Sequence, residues 1–230
     1  MDHCGSEHHS SPMSHSTIAF VDLAGFSAIA DVFGDALAID ILDRFEELVR
    51  ASLGEEGNLV KWIGDEVLLE FPGPDAALRV LGRLLPACRS EKRIPLTRSG
   101  INHGPVIRRT NDVFGSTVNI ASRITSLAAP GQLLATQSVA DPAAARGIAL
   151  EALGPHSLRS VADKVQLFEI KLTPSVDPAW IDPVCKMYAP QSVDRKESLK
   201  EHWFCSSGCK KAFRKSPETY PIRVKQQKSL

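Results

Sequence analysis

No apolar run in these 230 residues approaches the roughly 18 needed to cross a bilayer. The 27 Lys and Arg balance 27 Asp and Glu, so no net field points to nucleic acid or to a membrane surface. The first residues are rich in His and Ser rather than apolar, which excludes a secretory signal and predicts a cytoplasmic protein. Cysteine is scarce and uneven: Cys4, Cys88, Cys185, Cys205 and Cys209, three of them in the last quarter. Without a secretion signal, such a cluster points to metal more than to disulfides. What is present is a hydrophobic fraction of 43%, ordinary for a globular chain. The length suits one good-sized domain, or one domain plus a small module.

Residues 1–16 lack hydrophobic periodicity and are expected to be a disordered leader. His3, Cys4, His8, His9, Met13 and His15 there are either soft-metal ligands or idle. A buried strand begins at Thr17 and ends at Asp22, just before Gly25. A helical stretch runs to about Leu53 and restarts near Gly34 and Asp35. Its apolar positions recur at three and four residues over 36–50. Residues 58–71 read as a hairpin with its turn at Gly64 and Asp65. That places the Asp65 carboxylate at the end of two strands, either as a metal ligand or as an ordinary turn aspartate.

Residues 72–75 are a break with an N-cap, followed by an amphipathic helix from Ala76 to about Ser90 that carries Cys88. A strand and turn occupy 94–108, and a helix starts after Gly115, with Asn119 and Arg123 on one face. A strand follows at 131–137, then two further β segments within 148–172. The order β-α-β-β-α-β-α-β-β-β predicts an α+β fold. Its leading part is ferredoxin-like, an antiparallel-rich sheet with packed helices.

Four segments carry a resemblance: Phe20 to Ser27, Lys61 to Asp65, Arg98 to Gly104 and Asp112 to Arg123. Together and in this order, residues 17–173 resemble the class III nucleotidyl cyclase catalytic domain. The resemblance implies an adenylate cyclase that converts ATP to 3′,5′-cyclic AMP and pyrophosphate with two Mg²⁺ or Mn²⁺ ions per site. Asp22 and Asp65 match the metal-binding positions. Lys61 and Asp112 match the purine-reading positions. A Lys donor suits adenine N1 and an Asp acceptor suits its N6 amine, whereas guanine reverses both, so the pair favours ATP over GTP. Asn119 and Arg123 match the transition-state pair, and Arg159 resembles a basic residue near the triphosphate tail. Ser27 stands where Thr is commoner and keeps the hydroxyl. In that family the aspartates and the Asn/Arg pair of one site come from opposite protomers, which implies a head-to-tail homodimer.

Residues 174–181 read as a linker. The segment 182–222, with Asp182, Pro183, Val184, Cys185 and Met187 at its start and Phe204, Cys205, Cys209, Phe213 and Tyr220 later, resembles the YHS domain, a small module related to metal-binding ones. Cys185, Cys205 and Cys209 are candidate ligands for Cu⁺, Zn²⁺ or Hg²⁺, with His202 or Met187 as a fourth. The competing reading is a module held by Trp203, Phe204, Phe213 and Tyr220 with spare thiols. Residues 223–230 form a basic tail, and Lys210, Lys211, Arg214, Lys215, Arg223, Lys225 and Lys228 read as a solvated face rather than a nucleic-acid patch. The whole chain is thus expected to be a homodimeric adenylate cyclase regulated by a soft metal. A catalytically silent cyclase-like scaffold that binds or senses metal is the alternative, and Lys61 disfavours a guanylate cyclase.

Overall fold

The computed structural model describes residues 14–189 and 202–221. His3, Cys4, His8, His9, Met13 and the basic residues Arg223, Lys225 and Lys228 lie outside them. Eight strands form a sheet of order β2-β3-β1-β4-β6-β8-β7, with β5 paired to β4 off that path. The strands are β1 (Ser14–Leu23), β2 (Asn58–Ile63), β3 (Glu66–Phe71), β4 (Thr97–Arg109), β5 (Asp112–Phe114), β6 (Leu133–Thr136), β7 (Leu150–His156) and β8 (Val165–Ile170). All pairings are antiparallel except β4 with β6.

Central strand β1 is buried on both faces, and its alternation sorts the layers. Ala19, Val21 and Leu23 face α1 (Phe26–Phe33), α2 (Asp35–Leu53) and α3 (Pro74–Ser90), meeting Ile29, Ile41, Phe45 and Leu81. Ile18 and Phe20 face the other way, toward Val118 and Ala121 of α4 (Ser116–Leu127). Gly100 on β4 lets α4 approach the sheet: a Cβ there would lie 2.5 Å from the Thr125 nitrogen.

Several expectations need correction. Residues 14–16, expected to belong to the leader, are instead the start of β1, and Ser16 is fully buried with its hydroxyl bonded to Glu70. Helix α3 starts at Pro74 with Gly73 as N-cap and no side-chain cap, while Asp75 sits in the first turn. Strand β4 begins at Thr97, three residues later than the apolar Ile94 suggests. Strand β5 and α5 (Gln137–Ala145) were not foreseen.

The C-terminal segment is docked on this frame. Within 174–181, Val176 packs on Gly131, and Asp177 caps a 3-10 turn over Pro178–Trp180 by accepting the Ala179 N–H at 3.0 Å. Helix α6 (Ser207–Lys215) is capped by Ser206, which accepts the Cys209 N–H. Val184, Cys185, Phe204 and Cys209 join the same apolar core as Ile29 and Leu81.

Candidate active site

At the end of β1, the antiparallel registers place Glu66 of β3, Asp22 of β1 and Arg98 of β4 in one row across three strands. Directly opposed residues of antiparallel strands share a face, so two carboxylates flank the row that Arg98 closes. The Arg98 guanidinium donates to the buried Asp22 carboxylate. Asp65 enters from the β2–β3 turn, whose backbone carbonyl accepts the Leu23 N–H at 3.3 Å and so ties the turn to the end of β1. Burial pushes the Asp65 carboxyl up to about 6, and the charge of Asp22 adds to it. Burial pushes Glu66 up to about 7, again with help from Asp22. Asp22 is also raised, burial outweighing the Arg98 charge.

Carboxylates that repel one another at the strand ends, with one guanidinium beside Asp22, fit a site for a hard divalent cation. The expected metal aspartates, Asp22 and Asp65, are therefore brought together. Arg98 and Glu66 are additions that sequence reasoning missed. The signal for Arg98 lay in its segment, 98–104, but its partner follows only from the β1–β4 register.

The two residues expected to read the purine, Lys61 and Asp112, also meet. Lys61 on β2 donates from Nζ to Asp112 Oδ2 on β5 at 2.6 Å, and this partner holds the Asp112 carboxyl below its usual range. Asp112 Oδ1 accepts the Val113 N–H, which orients it. Beside Lys61, the Trp62 ring packs edge-on against Phe45, and its indole Nε1 is buried without a hydrogen-bond partner. Asn119 is exposed on α4, and Arg123, one turn on, has its Nε buried without a hydrogen-bond partner. Among the described residues, no hydrogen bond or ion pair joins either of them to Asp22 or Asp65 within the chain. Arg159 is exposed in the β7–β8 loop.

A second cluster lies in the C-terminal segment. The Cys185 and Cys205 sulfurs are 3.4 Å apart, and Cys205 and Cys209 are 3.7 Å apart. Three thiolates around one tetrahedral Zn²⁺ at about 2.3 Å would stand about 3.8 Å apart, so the three sulfurs fit a thiolate metal site. The Cys209 thiol is lowered to about 5, chiefly by hydrogen bonds from Cys185 and Cys205, whereas burial raises Cys185. Among the His, Cys, Asp and Glu side chains, the fourth member is not His202. The His202 ring packs on Phe213, and Asp182 completes the cluster, its ligand atoms within 4.8 Å of the sulfurs. Asp182 is fully buried, with Oδ1 accepting the Val184 and Cys185 N–H groups and Oδ2 the Cys205 N–H at 2.7 Å. Burial pushes its carboxyl up to about 6. Cys88 is a core residue on α3, its thiol pushed up to about 12 by burial.

Residues 74–171 match a family model. It is that of the adenylate and guanylate cyclase catalytic domain. Asp112, Asn119, Arg123 and Arg159 lie within the match, and Asp22, Lys61 and Asp65 precede it. The cyclase-like domain is 33% identical over 159 residues to a pH-sensitive adenylate cyclase of Mycobacterium tuberculosis, covering 67% of this chain and 40% of that one. It is 35% identical over 112 residues to an adenylate cyclase of Streptomyces griseus, covering 48% of this chain and 28% of that one. The chain thus spans well under half the length of these relatives. Solved adenylate cyclases of Trypanosoma brucei superpose with a TM-score of 0.65 at 22% identity, over 70% of this chain and 90% of theirs. The adenylyl cyclase CyaB from P. aeruginosa gives 0.61 at 19%, over 71% and 96%. These likenesses establish the cyclase fold. No helix among the described residues is long and apolar enough to cross a membrane.

Proposed function

We propose that this chain is an adenylate cyclase, converting ATP to 3′,5′-cyclic AMP and pyrophosphate at the interface of a head-to-tail homodimer. The observation that carries the choice of ATP is the ion pair between Lys61 and Asp112. It holds a donor and an acceptor side by side in the order that adenine N1 and N6 require, and guanine presents the opposite order. Asp22 and Asp65 would hold two Mg²⁺ or Mn²⁺ ions, which when bound lower the 3′-hydroxyl pKa and neutralise the phosphates.

The remaining work falls to side chains. Asn119 of the second protomer orients the ribose so that O3′ lies in line with the α-phosphorus. Arg123, from the same helix face, neutralises the charge that grows on the α-phosphate, and its buried, unpartnered Nε supports that role. Arg159 reaches the triphosphate tail. Exposed Ile107 and Phe114, which pair across the β4–β5 hairpin, support a protein partner for this edge. Residues 182–222 are a YHS-type module in which Cys185, Cys205 and Cys209 would hold Cu⁺ or Zn²⁺ and so adjust the cyclase.

Full-length protein with Mn²⁺ and either ATP or GTP, with the products separated by chromatography, tests the reading. Cyclic AMP from ATP, its loss in Asp65→Ala and little cyclic GMP are expected. No cyclic nucleotide from either substrate would refute it.

A further inference from the structure

We propose that Lys186, from the C-terminal segment, is a phosphate-binding residue for the polyphosphate of the nucleotide, in a cavity that it lines together with Arg98. The inference rests on the cyclase reading above and assigns to the C-terminal segment a part in holding the nucleotide.

A cavity of about 330 Å³ opens at the seam between the two parts of the chain. Gly25, Ser27 and Arg98 line one side, and Lys186 and Tyr220 line the other. Asp22, Asp65 and Glu66 do not line the cavity, and the link to the carboxylate row is Arg98, which lines it and donates to Asp22. A pocket of this size suits part of a nucleotide. Its fixed charges are Arg98 and Lys186 against Asp31, and the remaining polar groups include Ser27 and Tyr220.

Lys186 is held to the loop after Asp22 by a run of hydrogen bonds. Its carbonyl accepts the Leu96 N–H at 3.1 Å, and the Leu96 carbonyl accepts the Ala24 N–H at 2.9 Å. Its own N–H donates to the Asp182 carbonyl at 3.0 Å. The Lys186 stem lies so close over Gly25 that a Cβ on the glycine would come within 2.7 Å of Lys186 Cγ. Lys186 also has φ of +56°, a left-handed conformation that disfavours an ordinary side chain and is retained where surrounding contacts impose it. The Lys186 ammonium donates one hydrogen bond to the Pro183 carbonyl. An ammonium has three donors, so two remain for phosphate oxygens in the cavity. A point-charge ammonium at the end of a flexible stem suits a group that must hold the triphosphate and then release pyrophosphate.

Full-length Lys186→Met, which keeps the apolar stem over Gly25, and Lys186→Arg, which keeps the charge, separate this role from packing. With Mn²⁺, Lys186→Met is expected to raise KM for ATP and the inhibition constant of pyrophosphate by about tenfold, with kcat within about twofold. Lys186→Arg is expected to restore most of both, and a thermal melt of Lys186→Met like that of the parent shows that the fold is kept. Should Lys186→Met fold poorly, Lys186→Gln replaces it in the same comparison. Unchanged KM and unchanged pyrophosphate inhibition in a folded, uncharged variant overturn the proposal. If the parent makes no cyclic nucleotide, the cyclase reading fails instead. Calorimetric binding of pyrophosphate to the parent and to Lys186→Met then decides this one, equal affinities overturning it.

Discussion

Lys61 and Asp112 are 51 residues apart in sequence and meet at 2.6 Å, although β2 pairs with β3 and β5 with β4. Removing one member leaves the other half-buried without its partner, and on the proposed adenine reading it also erases one hydrogen bond to the base. A lost hydrogen bond to a charged group costs about 1.5–3 kcal/mol, roughly tenfold or more in discrimination. Lys61→Ala is therefore expected to lower kcat/KM for ATP at least about tenfold while leaving that for GTP little changed, as parallel rate measurements with the two nucleotides would reveal.

The carboxylates make a second residue-scale prediction. Asp22 and Asp65 have folded-state pKa values raised above those of an unfolded chain, Asp65 to about 6. Between the two values the folded state binds more protons, so stability falls with rising pH. The contribution is fully present below about pH 4 and is lost as pH rises through about 6. A divalent cation acts on the ionised forms. The rise in Tm on adding Mn²⁺ should be larger near pH 7.5 than near pH 5, and equal rises in differential scanning fluorimetry would contradict the assignment of these two residues.

At the scale of elements, the turn between β1 and α1 joins both clusters. Gly25 there has φ of +75° and is pressed against the Val184 carbonyl and the Lys186 stem. Gly25→Ala adds both backbone strain and a clash with the docked segment, together on the order of 2 kcal/mol or more. Urea unfolding should show this loss, and the cysteines should become easier to label as the segment loosens. Asp182→Ala should do the second without the first strain, since it removes the acceptor for three buried N–H groups, at about 3 kcal/mol. Faster reaction of Cys205 and Cys209 with a thiol reagent is the readout.

These elements also show what could be read in advance. Helices α2 and α3 and the β2–β3 hairpin were legible because each carries its own periodicity over many residues. Strand β5 has three residues, and α5 contains Pro142 among small side chains, so neither had a period to read. Asp22 and Asp65 were legible as strand-end and turn acids, but their crowding with Glu66 and Arg98 depends on pairing between distant strands. Asp182 appeared only as the start of a segment. Its burial arises when the chain returns 23 residues later to place the Cys205 N–H on its carboxylate.

At the scale of the whole molecule, Arg123 stands on α4, the face of the sheet opposite α1, α2 and α3. Its buried Nε is unpartnered within the chain. The β4–β5 hairpin beside that helix exposes Ile107 and Phe114, and β2 exposes Ile63. Apolar side chains at one edge, next to a guanidinium lacking an internal partner, are what a second copy would cover. A twofold dimer built this way has two equivalent sites, each taking its aspartates from one protomer and its arginine from the other. Asp65→Ala and Arg123→Ala should each be inactive alone. Mixed in equal amounts and allowed to exchange, they form heterodimers in which one site has lost both groups and the other is intact. Random pairing makes half the dimers mixed, so the mixture should recover about a quarter of the parent's cyclic AMP production. Recovery requires exchange, so a native mass spectrum of the mixture must show the mixed dimer. Mixed dimers without recovered activity would mean that Asp65 and Arg123 serve the same protomer's site, and the head-to-tail arrangement would fall.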